Sequence, residues 1–266
     1  MEFTVYQVDA FGNRPFTGNP AAVIVLEHWV EEELMQNIAA EMNLSETAFV
    51  VKAGEEYGIR WFTPTTEVEL CGHATLASAH VLYEHRGVND PEIQFQSLSG
   101  LLTTRKVGDK LQLDFPKAEV QPLAIPTELI DAISARPLAV ASHGKKLLVE
   151  FESARRVCEL APDMNRLMRL PFMGVCCCAL ANDYVADPQP DFISRFFAPN
   201  AGINEDPVTG SAHTLLMPYF AKKTGKSQLR ARQVSARGGD LELELRGDRV
   251  LISGNAVTVM TGSLTL

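Results

Sequence analysis

The chain has 266 residues and a mass of 29.2 kDa, a length that suits one large domain or two small ones. It carries 24 Lys+Arg against 33 Asp+Glu, a net charge of −9 and a pI near 5.2, which argues against an extended nucleic-acid footprint. No apolar run reaches the ~18 residues that a membrane helix requires, and Met1–Val5 has no basic segment leading into an apolar stretch, so neither a membrane span nor a signal peptide is expected.

In chain order, Phe3–Ala10 reads as a first strand, and residues 11–20, rich in Gly, Asn and Pro, as a loop. Ala21–Leu26 is a short apolar strand. Val30, Leu34, Ile38 and Met42 recur every four residues behind Glu31, Glu32 and Glu33, which predicts an amphipathic helix with its acids at the favourable end of the dipole. Strands follow at Thr47–Val51 and Tyr57–Thr63, a small-residue helix at Thr75–Tyr83, and strands near Ile93–Gln96, Leu101–Val107 and Lys110–Phe115. The stretch carrying Pro116, Pro122 and Pro126 has neither period and reads as a boundary.

Beyond it the order recurs. Strands are expected near Leu138–Ser142 and Lys146–Glu150, a helix near Pro162, a strand through Cys176–Cys178, a strand at Ser194–Phe197 and a helix at Ser211–Lys223. The chain closes with strands at Gln233–Ala236, Leu241–Leu245, Arg249–Ser253 and Val257–Leu266. The five cysteines include an adjacent triplet, are odd in number and form no C-x-x-C pair. They suggest a reduced, cytoplasmic protein rather than a disulfide framework or zinc site.

The two halves share a pattern. Arg60-Trp61-Phe62-Thr63-Pro64 precedes Cys71-Gly72-His73-Ala74, and Arg195-Phe196-Phe197-Ala198-Pro199 precedes Thr209-Gly210-Ser211-Ala212. Phe62 and Phe197 are 135 residues apart, Gly72 and Gly210 138, so three residues are inserted between the paired motifs. An internal repeat fixes architecture. This one predicts an α+β protein of two pseudo-symmetric lobes, residues 1–115 and 116–256, whose helix starts converge on one cleft. Free N–H groups at each start suit a carboxylate. The glycines would admit the ligand close to the backbone, or serve only as loop-to-helix punctuation.

Glu46, just before a β-prone run, reads as a general acid/base, a role that calls for a pKa moved from ~4.3 towards 6–7. The competing readings are a capping box with Asn43 or a solvated strand edge. Asp206 reads either as a site carboxylate or as a helix N-cap followed by Pro207. His73 falls in a first helical turn, where the dipole favours neutral imidazole; His213 has a weaker claim, and His28, His80, His85 and His143 read as structural or surface residues. No His/Asp/Glu grouping has metal-ligand spacing, and no G-x-G-x-x-G or P-loop sequence occurs, so no metal or nucleotide cofactor is expected.

These motifs, with Val8-Asp9-Ala10-Phe11, Gly18-Asn19-Pro20-Ala21, Asn43–Phe49 and Asp206–Ala212, resemble the PhzF-like isomerase family. The resemblance implies a diaminopimelate epimerase-like fold, in which each lobe is a β-sheet wrapped around a central helix. It also implies that residues 257–266 return to the first lobe. By the same resemblance Glu46 is the acid/base, His73, Asp206 and Ser211 its substrate-binding and proton-handling companions, and Gly72 and Gly210 backbone contacts, without metal, nucleotide or flavin. The resulting expectation is a cytoplasmic, homodimeric, cofactor-independent isomerase that moves a proton on a small carboxylate-bearing substrate. The alternatives are a two-thiol racemase or epimerase, which Thr209 opposite Cys71 disfavours, and a non-catalytic small-molecule-binding protein.

Overall fold

A computed structural model describes residues 1–266. The chain divides into two compact units, one of Met1–Phe115 with Ile252–Leu266 and one of Pro116–Leu251. No helix is long and apolar enough to cross a membrane.

The first unit contains β1 (Glu2–Ala10), β2 (Asn19–Leu26), α1 (Glu32–Met42), β3 (Glu46–Ala53), β4 (Glu56–Phe62), β5 (Glu67–Val68), α2 (Gly72–His85), β6 (Glu92–Ser97), β7 (Gly100–Val107) and β8 (Lys110–Pro116). The second contains β9 (Gln121–Leu123), α3 (Thr127–Ile133), β10 (Ala139–His143), β11 (Lys146–Glu150), α4 (Ala154–Cys158), α5 (Met164–Leu167), β12 (Gly174–Leu180), β13 (Phe192–Ala198), β14 (Ile203–Asp206), α6 (Gly210–Thr224), β15 (Gln228–Gln233) and β16 (Gly239–Arg246). β17 (Arg249–Gly254) leads out of it, and β18 (Ala256–Thr265) pairs antiparallel with β1.

Each unit repeats one pairing order. In the first it runs β18-β1-β2-β3-β4-β6-β7, with β2–β3 and β4–β6 parallel and the rest antiparallel. In the second it runs β9-β10-β11-β12-β13-β15-β16, with β11–β12 and β13–β15 parallel. Register is kept as well. Thr47 pairs with Phe62 as Val175 pairs with Phe197, and Trp61 pairs with Val68 as Phe196 pairs with Asp206.

The helices follow from composition. α2 is built from Ala74, Ala77, Ser78 and Ala79 with few large side chains, and ten of its fourteen residues are buried. A helix apolar around its whole circumference belongs inside a layer. α6 is its counterpart, with Ala212, Leu215, Leu216, Met217 and Phe220 buried. The stripe of α1 packs Met35, Ile38 and Ala39 against Ile24, Phe49 and Phe62. In the second unit three short helices cover the matching face, bringing Leu129, Val157 and Leu167 onto Val149, Cys177 and Phe197. All three adjacent cysteines are buried, and burial pushes the Cys176 thiol up to about 12, as befits packing residues.

The paired F-x-P turns carry a paired clamp. Arg60 grips both carboxylate oxygens of Glu67 at 2.7 Å and lies 5.1 Å over the Phe62 ring. Arg195 grips Glu205 at 2.7 and 2.9 Å and lies 4.8 Å over Phe197. A 3-10 turn at Pro199–Ala201 lies between the two halves of the second clamp, in the stretch where the three extra residues fall.

Some elements differ from expectation. The strand expected at Gln233–Ala236 lies at Gln228–Gln233, because the buried alternation Leu229, Ala231, Gln233 starts earlier and pairs with Phe192–Ser194. The helix expected near Pro162 begins at Met164, where Asp163 accepts a hydrogen bond from the Arg166 N–H. α3 and α4 were not anticipated: at seven and five residues they are too short to carry a period and depend on packing. The proline-rich stretch contains the short strand β9, paired with β10.

Candidate active site

In the first unit, Asn43 ends α1 in the left-handed conformation that this residue type tolerates, and three residues later the chain enters β3 at Glu46. The capping-box reading therefore fails: Asn43 closes a helix rather than opening one. Glu46 is not a solvated edge residue either, since its side chain is 14% exposed and its strand lies between β2 and β4.

Glu46 Oε2 stands 3.2 Å from Nε2 of His73, the second residue of α2. His73 is fully enclosed, and burial drives its pKa down to about 3, so the imidazole is neutral. Its other nitrogen, Nδ1, lies 3.2 Å from Asn19 Nδ2 and 3.4 Å from Cys71 Sγ. Gly72 opens α2, with Cys71 at the N-cap in extended conformation and no side-chain cap. The first N–H groups of a helix have no partner within it and favour an anion.

Chain spacing shows no metal-ligand set, yet the fold does bring ligand-capable atoms of Glu46, Cys71 and His73 within 4.8 Å of one another. Glu46 faces Nε2 while Cys71 faces Nδ1. The two donors thus bracket the ring, an arrangement suited to a hydrogen-bonded chain rather than to a chelate through one imidazole nitrogen.

In the second unit, α6 starts at Gly210 with Thr209 as the N-cap residue. Asp206 lies three residues earlier, at the end of β14, so the N-cap reading of Asp206 and the first-turn reading of Pro207 are both corrected. Asp206 Oδ2 instead accepts a 2.5 Å hydrogen bond from the Thr209 hydroxyl. Ser211 is the second residue of α6, the place that His73 holds in α2. His213 is buried, donates from Nδ1 to the Thr209 carbonyl at 2.8 Å, and stacks on Phe192. His80 and His85 bond Thr258, in keeping with structural roles.

Three residues escaped the sequence reading. Gln233, fully buried, accepts from the Thr209 N–H at 2.9 Å and donates to the Asp206 carbonyl at 2.7 Å, tying strand end to helix start. Lys146, first in β11, donates to the Ser211 carbonyl at 3.3 Å, and burial lowers its pKa while Cys176 and Asp206 oppose that shift. A cation at a helix N-terminus opposes the dipole. Asn19 enters the sequence pattern within the loop of residues 11–20 and the Gly18-Asn19-Pro20-Ala21 motif, with no role of its own.

The profile of the family described as "Phenazine biosynthesis-like protein" (PhzC-PhzF) matches residues 8–262. An uncharacterized isomerase of Pseudomonas aeruginosa is 48% identical over the full length of both chains, and one of Halalkalibacterium halodurans is 46% identical, likewise end to end. The crystal structure of a PhzF-family protein from Enterococcus faecalis superposes with a TM-score of 0.95 at 42% identity, covering all of both chains. A probable proline racemase from Agrobacterium radiobacter, at 11% identity and a TM-score of 0.66, shares the fold alone.

Proposed function

The chain belongs to the phenazine biosynthesis-like family, and on that premise we propose that it is a cofactor-independent isomerase that shifts a proton on a small carboxylate-bearing substrate by general acid–base catalysis. Glu46 takes the proton from carbon and returns it. The observation that carries this reading is the 3.2 Å approach of Glu46 to a buried, neutral His73 at a helix start. His73 orients the Glu46 carboxylate, and the N–H groups at the start of α2, from Gly72 on, bind the substrate's carboxylate as charge develops on it. By the family resemblance, Asp206, whose carboxylate accepts from the Thr209 hydroxyl, and Ser211 at the start of α6 are the second unit's candidates for proton handling and substrate contact.

Thr209 stands where a two-thiol enzyme would need its second thiol, and its hydroxyl is engaged with Asp206. A hydroxyl is too weak an acid for that task at neutral pH. The deciding experiment is a screen of unsaturated and cyclic carboxylic acids in D₂O with recovery of the products. Deuterium on carbon in a rearranged isomer supports the reading. Binding of such acids with neither exchange nor rearrangement would make the protein a carrier and sink it.

A further inference from the structure

Asn19 is fully buried at the start of β2, with its backbone paired to Ala10. Gly18 before it sits at φ +74°, where a Cβ would lie 2.3 Å from the Ala10 carbonyl oxygen. Only glycine passes through that point, so the path of the chain into β2 is fixed, and the exit direction of the Asn19 side chain with it.

The Asn19 amide nitrogen can only donate, so at 3.2 Å it makes His73 Nδ1 an acceptor. Cys71 Sγ, 3.4 Å from the same nitrogen, can meet that one lone pair only as a thiol donor sharing it with Asn19, which is compatible with the same tautomer. A neutral imidazole whose Nδ1 accepts carries its proton on Nε2, and Nε2 is the nitrogen that faces Glu46. The opposite tautomer would set an Nε2 lone pair against the carboxylate oxygen.

We propose that Asn19 is a positioning residue that acts through His73, holding the imidazole in its Nε2–H tautomer so that an N–H and not a lone pair is turned to the Glu46 carboxylate 3.2 Å away, which favours its ionised form, the form able to accept a proton. The inference deepens the acid–base reading of Glu46 and rests on it for its functional meaning, while the tautomer is measurable without any substrate. It also gives His73 a definite part: with Nδ1 occupied as acceptor and Nε2 already protonated, the ring has no place for the abstracted proton, which stays on Glu46 until it is returned.

His213 supplies an internal reference. Its Nδ1 faces the Thr209 carbonyl, which can only accept, so this buried neutral imidazole is Nδ1–H, the opposite of His73. The test is long-range ¹H–¹⁵N correlation NMR of the full chain labelled in its six histidines, with His73 assigned from its loss in His73→Gln. The expected spectrum shows a pyrrole-type Nε2 for His73 and a pyrrole-type Nδ1 for His213.

In Asn19→Asp an acceptor replaces the donor, and the His73 proton should move to Nδ1 or be joined by a second to give imidazolium, with the His213 pattern unchanged. A wild-type His73 with its proton on Nδ1 overturns the proposal. So does an Asn19→Asp protein with native His213 signals whose His73 remains Nε2–H. Should Asn19→Asp not fold, Glu46→Gln serves, since it removes the carboxylate and leaves Asn19 in place. His73 should then stay Nε2–H, and a mixed tautomer would assign the control to Glu46 and reject Asn19. Activity of Glu46→Gln is a separate readout, so a failure of the acid–base reading stays distinguishable from a failure of this one.

Discussion

The two units share strand order, register and clamps but place their charges at different points on that common frame. In the first unit Glu46 starts β3 beside Ala21 of β2. At the corresponding point of the second stands Gly174, beside Lys146 of β11. A Cβ on Gly174 would lie 2.1 Å from the tip of the Phe196 ring, so a carboxylate at that position would require Phe196 to move. The second unit takes its acid instead from Asp206, whose counterpart by register is the apolar Val68. Cys71 and His73 likewise correspond to Thr209 and Ser211. Repetition of a scaffold thus does not repeat its chemistry. One unit offers a carboxylate against a neutral imidazole, the other a carboxylate against a hydroxyl with an ammonium nearby.

The largest expected effect falls on the first of these. Glu46→Gln keeps shape but cannot cycle a proton, and general acid–base catalysis contributes 10²–10⁴-fold, about 3–5 kcal/mol. We expect a loss of that size in kcat, with ligand affinity and Tm nearly unchanged, read by turnover, calorimetry and thermal melting. Normal turnover in this variant would erase the distinction between the units.

The next effect concerns pH and involves both units. Burial holds His73 at about 3 and His213 at about 4, against an ordinary 6.5. The folded state therefore excludes protons that the unfolded chain binds. Stability from these groups is complete above pH ~6.5 and is lost as pH falls towards the folded values. Between pH 7 and 5 each histidine should account for about 2 kcal/mol, seen as a fall in the urea midpoint. His73→Gln should flatten that fall by roughly its own share.

Gly174→Ala probes why the units differ. Overpacking against Phe196 should cost about 1–3 kcal/mol in denaturant melts, and Phe196→Leu in the same chain should recover part of it. A neutral Gly174→Ala would mean that the position could have held a side chain after all. The smallest effect is expected for Cys71→Ser, which retains a donor for His73 Nδ1 and should keep most activity. Abolished turnover with intact ligand binding would instead point to thiol chemistry in the first unit.

Much of this was legible in the sequence because it depends on local pattern. The four-residue stripe of α1, the small-residue composition of α2 and the paired R-x-F…G motifs each follow from neighbours along the chain. What was hidden depends on approach between distant residues. Glu46 and His73 are 27 positions apart, and no spacing rule joins them; the parallel pairing of β2 with β3 and the burial of α2 do. Gln233 looked like an ordinary polar residue at a strand boundary, and its role emerges only where β15 runs beside β13. Lys146 stands at the start of an expected strand, and nothing in the local pattern points from it to Ser211, 65 positions on. The trio Glu46, Cys71 and His73 escaped a search for ligand spacing for the same reason.

The pairing of β18 with β1 has a consequence for synthesis. The second unit is continuous from Pro116 to Leu251, whereas the first needs Ile252–Leu266 to complete its sheet. Domains fold as units while the chain emerges from the ribosome at ~5–20 residues per second. The half carrying Asp206 can therefore close on itself without β18, while the half carrying Glu46 waits with one edge of β1 open until β18 has been translated. Glu46 and His73 are made more than 180 residues before β18 begins, so the sheet that frames them is completed long after they are.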